Sequence, residues 1–192
     1  MRPPRTSAGI DPNAGEKTPG IRIRLRRPAA ADGPAITALI ASCPPLDTNS
    51  AYCNLLQCSH FADFCVVAEM DGEPVGWVSG YRPPSDPQGF FVWQVAVAPE
   101  ARGTGLAGRM IEALLDRPAA AGVSHLLTTV TADNAASWAL FKGLARRWNA
   151  RLERGPLFER ETHFDGAHDT EWQARIAPLG RRAASRTAEI EK

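Results

Sequence analysis

The chain has no apolar stretch approaching the roughly 20 residues that a bilayer-spanning helix needs, so no membrane span is expected. It has little net charge, +1 with His neutral, and this gives no reason to expect nucleic acid or an anionic membrane as a partner. The first twenty residues, MRPPRTSAGIDPNAGEKTPG, carry arginines but no apolar segment. They are therefore not expected to be a secretory signal, and their Pro, Gly and polar content predicts a disordered extension over 1–20. Cysteine is scarce: Cys43, Cys53, Cys58 and Cys65. None stands in C-x-x-C spacing and no His pair lies at zinc-finger distance, so no metal site is expected and cytoplasmic thiols are the simpler reading. Histidine is equally sparse. His60, His125, His163 and His168 are scattered, and the last two sit five apart in a polar stretch that reads as a solvated loop rather than a base or ligand pair.

What remains is an ordinary globular composition, 44% hydrophobic and 22% charged over 192 residues, enough for one domain with a substantial core. Residues 21–27 alternate apolar and basic, the period of a half-buried strand. Pro28 suits a helix start, and Ile36, Leu39 and Ile40 give helical spacing through Ser42. Segment 46–57 predicts a second helix with Asp47 or Asn49 as its cap. Strands are expected over 64–70 and 74–81, joined by the hairpin signal Asp71-Gly72, and again over 90–98. A helix to about Asp116 follows, then a strand over 123–131 and a helix starting at Asp133 or Asn134. Weaker strands are expected over 148–153 and 170–176, and a polar tail over 178–192. The order is β-α-α-β-β-β-α-β-α-β-β, an α/β arrangement.

The most informative segment is FVWQVAVAPEARGTGLA, 91–107. A β-rich run ends at Pro99, and Arg102-Gly103-Thr104-Gly105-Leu106-Ala107 opens a helix. Such a junction aims unpaired amides and the positive end of a helix dipole at one point, which suits a pyrophosphate. No Lys-Ser/Thr pair follows Gly105, so this is not a P-loop, and the three-glycine dinucleotide fingerprint is missing. The spacing R-x-x-G-x-A resembles the acyl-CoA loop of the GNAT N-acetyltransferase superfamily, and the element order over 21–177 is similar to that fold. The resemblance implies a central mixed twisted sheet flanked by helices, with strands 4 and 5 splayed around acetyl-CoA as co-substrate. It also implies that the main chain of Val95, Ala96 and Val97 pairs with the pantetheine arm. The loop Arg102, Gly103, Thr104, Gly105, Leu106, Ala107 and Gly108 would then hold the pyrophosphate, and Asn134 would touch the pantetheine end. Many members place a tyrosine in the last helix as the acid that protonates the leaving thiolate; Phe141 stands there in this chain.

Segment 43–69, CPPLDTNSAYCNLLQCSHFADFCVVAE, closely resembles the L-2,4-diaminobutyrate acetyltransferases of ectoine synthesis, and VTADNAASWALF agrees. That resemblance implies a substrate pocket of Asp47, Tyr52, Trp93 and Glu171, with Glu171 as the base, in a cytoplasmic homodimer. Each residue has a plainer account: Asp47 as a helix cap, Trp93 and Tyr52 as packing, Glu171 as a surface charge. Two other functions share the loop, a GNAT enzyme acting on another small diamine or amino acid and a non-catalytic acyl-CoA-binding regulator.

Overall fold

A computed structural model describes residues 22–180. The expected extension over 1–20 and the tail from 181 onward lie outside the described residues. The elements are β1 (Ile23–Arg26), α1 (Gly33–Ala41), α2 (Ala51–Ser59), β2 (Val66–Met70), β3 (Glu73–Tyr81), β4 (Gly89–Val97), α3 (Leu106–Leu115), β5 (His125–Thr131), α4 (Ala135–Arg147), β6 (Arg151–Phe158), α5 (Arg160–Phe164) and β7 (Glu171–Ala177). They build one seven-stranded sheet in the order β1-β2-β3-β4-β5-β7-β6.

Local chemistry accounts for most boundaries. Asp71 and Gly72 both take positive φ, 51° and 88°, the backbone that a tight hairpin between β2 and β3 requires. The first helix starts later than Pro28, at Gly33 with Pro34 in its first turn. The delay has a cause in Asp32, whose carboxylate accepts the Ala29 amide at 2.7 Å and both terminal nitrogens of Arg26 at 2.8 Å. Arg26 also reaches Glu69 at 2.6 Å, which ties the turn to β1 and β2. These contacts hold the Asp32 carboxyl below the usual carboxylate range, with the Arg26 hydrogen bonds as the main cause. α4 runs on to Arg147, so β6 begins at Arg151 instead of 148, after Asn149 in a left-handed conformation with φ 50°.

The core lies on both faces of the sheet. α3 packs on β2, β3 and β4, α4 packs on β6 and β7, and α1 packs on β3 and β4. A Cβ on Gly76 would meet the Met110 side chain at 3.0 Å, so that face of β3 belongs to α3. Its neighbours Trp77 and Ser79, both 0% exposed, point to the other face. Met110, Ile111 and Leu114 anchor α3 in the core, and truncating one of them to Ala would destabilise the fold by about 2–5 kcal/mol.

Two features of β4 shape the site. Its partners on β3 run Gly76↔Val97 to Ser79↔Gln94 and then skip to Gly80↔Val92. Trp93 is therefore the extra residue of a β-bulge. On its other edge β4 pairs with β5 in parallel only from Gly89↔His125 to Val92↔Thr128. Beyond Val92 the strands part: β4 stays with β3 to Val97, and β5 stays with β7 to Thr131↔Glu171. The expected splay between the fourth and fifth strands is present, and it opens at the bulge.

Candidate active site

One wall of the splay ends in the glycine loop. Gly103 and Gly105 have φ of 75° and 74°, which glycine adopts without the penalty other residues incur. A Cβ built on either would meet nothing within 4 Å, so the space above both is open. Gly105 is the N-cap of α3 and offers no side-chain cap. The Arg109 amide, on the Gly105 carbonyl at 3.2 Å, closes the first turn, and the amides before it have no partner within the helix. Gly108 differs: its small size serves packing, because a Cβ there would come within 3.3 Å of Arg147 on α4. Arg102 turns inward and donates from Nε to the Val97 carbonyl at 2.9 Å; Cys43 also donates its thiol there, at 3.4 Å. The fold thus brings a cysteine to the end of β4 that no spacing near the loop announced. Arg147 forms an ion pair with Glu112 at 2.8 Å and so braces α3 against α4.

At the start of α4 the Asn134 side chain caps the helix, Oδ1 accepting from the Ser137 amide at 3.0 Å. Phe141 is 2% exposed and belongs to the hydrophobic core.

The acceptor side is built from the 46–50 loop, the β4 bulge and the start of β7. The second helix begins at Ala51, five residues later than its composition predicts, with Ser50 as the cap: its Oγ accepts from the Cys53 amide at 3.1 Å. Asp47 and Asn49 therefore do not cap it. Asn49 takes φ 43°, which breaks the helical path and keeps 46–50 as a loop. This loop is fastened by a residue the sequence reading passed over. Gln94, 7% exposed, donates from Nε2 to the Asp47 carbonyl at 2.6 Å and accepts from Asn49 Nδ2 at 3.1 Å. The bulge makes this possible. Phe91, Trp93 and Gln94 share the sheet face of Tyr81 and Ser79, and without the extra residue Gln94 would turn away from the loop. Trp93 stands edge-on to Tyr81 at 6.1 Å and is 47% exposed, so it is not buried core. Tyr52, in the first turn of α2, is 69% exposed.

Glu171 opens β7, opposite Thr131. It is half-buried, not a solvated surface charge. Burial is the main cause that pushes its carboxyl up, and the negative charge of Asp47 adds to that; the Thr129 hydroxyl and His168 oppose it. Asp47 and Glu171, far apart in sequence, thus stand within electrostatic reach of each other at the splay. The histidines stand apart from one another, His163 in α5 and His168 in the loop after it. His168 Nε2 lies 4.0 Å from Glu171 Oε1. His163 accepts the Glu159 amide at 2.9 Å. His125 is buried against Asp86 at 2.6 Å and pins the 82–89 loop to β5. A polar residue inside an apolar run, as Gln94 is in FVWQVAV, was the one sequence signal for the loop clamp; His168 offered none.

A separate open groove of about 890 Å³ lies between α4 and β6, lined by Trp138, Lys142, Arg146, Leu152 and Arg154 among others. Arg154 sits between the rings of Trp138 and Trp172 at 4.5 and 4.3 Å. None of the candidate residues lines it.

Comparison with known proteins agrees with this geometry. The model of the acetyltransferase (GNAT) family matches residues 34–145. An L-2,4-diaminobutyric acid acetyltransferase of Methylotuvimicrobium alcaliphilum is 47% identical over 82% of this chain and 91% of its own length. That of Halomonas elongata is 50% identical over 81% of both chains. A diaminobutyrate acetyltransferase of Paenibacillus lautus, solved with L-2,4-diaminobutyric acid and coenzyme A, superposes with a TM-score of 0.80 at 37% identity, covering 85% of this chain and 99% of that one. The chain belongs to the GNAT acetyltransferase family, and within it to the L-2,4-diaminobutyric acid acetyltransferases.

Proposed function

We propose that this protein transfers acetyl from acetyl-CoA to the γ-amine of L-2,4-diaminobutyrate, giving N4-acetyl-L-2,4-diaminobutyrate for ectoine synthesis and osmoprotection. We place it in the cytoplasm as a homodimer with one catalytic domain over 21–177, without nucleic acid or membrane as partner. The observation that carries the reading is the splay of β4 from β5 next to a loop, 46–50, that Gln94 fastens to β4, in a chain 47% identical to an L-2,4-diaminobutyric acid acetyltransferase.

Acetyl-CoA lies along the free edge of β4, its pantetheine arm on the main chain of Val95, Ala96 and Val97 and its pyrophosphate on the amides of 103–108. The diamine enters from the 46–50 loop. Asp47 takes the α-ammonium, Trp93 walls the short methylene chain, and Tyr52 offers a hydroxyl at the rim. An alkylamine has a pKa of about 10.4, so near neutral pH its attack requires a proton acceptor. Glu171 is that acceptor: a carboxylate raised by burial is closer in basicity to its task than an exposed one. The leaving thiolate, with a thiol pKa of about 8.5, departs with little help from an acid, which fits Phe141 in place of a tyrosine. Attack is direct. Cys43, the cysteine at the end of β4, is buried with its thiol proton on the Val97 carbonyl, and the buried Cys58 and Cys65 thiols are pushed up to about 11 and about 12 by burial, so they stay protonated and are poor nucleophiles.

Phe141, which stands where many members have a tyrosine, is accounted for by core packing. A thiol-release assay against 2,4-diaminobutyrate, 2,3-diaminopropionate, ornithine, lysine and putrescine tests the proposal, with NMR of the product fixing the acetylated nitrogen. Preference for another diamine, or acetylation at the α-amine, would overturn it.

A further inference from the structure

We propose that His168 is a positioning residue that acts through Glu171, receiving from its carboxyl the proton taken off the amine and passing it to solvent. The inference rests on the reading of Glu171 as the base. Nδ1 of His168 lies 2.7 Å from the Asp169 carbonyl. A carbonyl only accepts, so Nδ1 carries the proton and the lone pair of the neutral ring is on Nε2. Nε2 is the atom that faces Glu171 Oε1, at 4.0 Å. The ring is held from a second side by Phe164, with centroids 4.8 Å apart, and Phe164 packs in turn on Phe158 of β6 at 6.4 Å. Asp169 is itself fixed by Arg160 at 2.8 Å. The imidazole is thus fastened at one nitrogen and on one face, and it presents its basic nitrogen to the carboxyl.

The two groups also form a gradient of exposure. The Glu171 side chain is 20% exposed and that of His168 is 36% exposed, so the histidine is the more open of the two to water. A buried carboxyl that takes a proton at each turnover must lose it again, and its inner side is occupied by substrate. The balance is simple. The γ-ammonium loses one proton to the Glu171 carboxylate and so becomes the attacking amine; after the C–N bond has formed the nitrogen loses a second proton to the coenzyme A sulfur, which leaves with the bonding pair of the broken C–S bond. The Glu171 carboxylic acid gives its proton to Nε2, and the imidazolium returns it to bulk water. At 4.0 Å the transfer requires either one bridging water or a closure of about 1 Å, the ordinary slack of a catalytic pair before substrate arrives. The charged and titratable groups around the pair are Asp47 from the 46–50 loop, Asp169 beside the ring and Arg160 of α5. Asp47 repels the ionised carboxylate, and Arg160 neutralises Asp169.

Two measurements test this. NMR of ¹⁵N-histidine-labelled protein without substrate reads the tautomer of His168 directly. The neutral ring should carry its proton on Nδ1, and its Nε2 resonance should shift when Glu171 is replaced by Gln. A proton on Nε2, or an Nε2 resonance indifferent to Glu171→Gln, would overturn the pairing whatever the enzyme acetylates. Kinetics of His168→Gln then reads the relay, because glutamine can still donate to the Asp169 carbonyl but cannot take up a proton. With 2,4-diaminobutyrate, kcat at pH 7.5 should fall about 10-fold or more, with both KM values within about twofold, and the deficit should narrow in high concentrations of buffer base. An unchanged kcat, or a rise in KM for the diamine alone, would overturn the relay. Absence of wild-type turnover with the diamine would instead reject the proposed substrate, and the tautomer result would stand apart from it.

Discussion

Gln94 Nε2 donates to the Asp47 main-chain carbonyl at 2.6 Å, and this bond fixes the position of the proposed acceptor loop relative to β4. Its other side-chain atom, Oε1, holds Asn49 at 3.1 Å, so one amide reads two positions of a loop that has no regular structure. Replacing Gln94 by Leu would leave both loop partners without the amide and should raise the KM for diaminobutyrate about 10-fold, equivalent to about 1.4 kcal/mol. The KM for acetyl-CoA should stay near wild type, since the amide touches neither the glycine loop nor the open edge of β4. Steady-state kinetics with each substrate varied in turn checks this; equal changes in both constants would mean that Gln94 supports the sheet and not the loop.

Asp47 and Ser50 should separate cleanly. Because Ser50 caps α2, Ser50→Ala should lower stability by about 1 kcal/mol and leave KM for the diamine little changed. Asp47→Asn should do the opposite, with the melting temperature unmoved and the KM for the diamine raised about 10-fold or more through loss of the ammonium's counter-charge. If both variants shift only stability, Asp47 has no part in binding.

Gly105 combines φ 74° with open space above it. A methyl group there meets no protein atom, so the damage to the fold is confined to the backbone preference, about 1 kcal/mol. The same methyl projects into the space where a phosphate would need to approach the amides. Gly105→Ala should weaken acetyl-CoA binding about 10-fold or more in calorimetry while the protein stays folded, and Gly105→Val should weaken it further. Wild-type affinity in a folded variant would remove the loop from the binding site.

The fold was legible wherever a local pattern decided it. Asp71-Gly72 specified the hairpin, the alternation in 21–27 gave β1, and Gly105 marked the entry to α3. What failed was governed by contacts between distant segments. Asp47 sits where a cap belongs, yet α2 starts after Ser50, because Gln94 and the turn at Asn49 draw 47–49 away from the helix axis. The neighbours of the histidines left no local signal, being remote in sequence, Asp86 for His125, or separated by a bend, Glu171 for His168. The bulge at Trp93, which sets the facing of Gln94, is a property of strand pairing and leaves no mark in the strand's own composition.

Glu171 carries the final prediction. Burial and the Asp47 charge raise its carboxyl above the ordinary value of 4.5, so the native protein binds this proton more tightly than the unfolded chain does. The stability linked to it is fully present below that ordinary value and is lost as pH rises through the raised native one. Glu171→Gln removes the ionisation and should therefore melt at the wild-type temperature in acid and at or above it near neutral pH. Activity should move the other way. At pH 7.5 kcat should fall about 10²-fold or more, the scale of a lost general base. The deficit should shrink toward pH 10, where solvent supplies more of the neutral amine. A stabilised but slow variant is what a buried base requires, because the same desolvation that strains the carboxylate raises its basicity. A variant that loses stability at neutral pH, or whose kcat deficit stays constant from pH 7 to 10, would show that Glu171 is held by structural partners and that another group takes the proton.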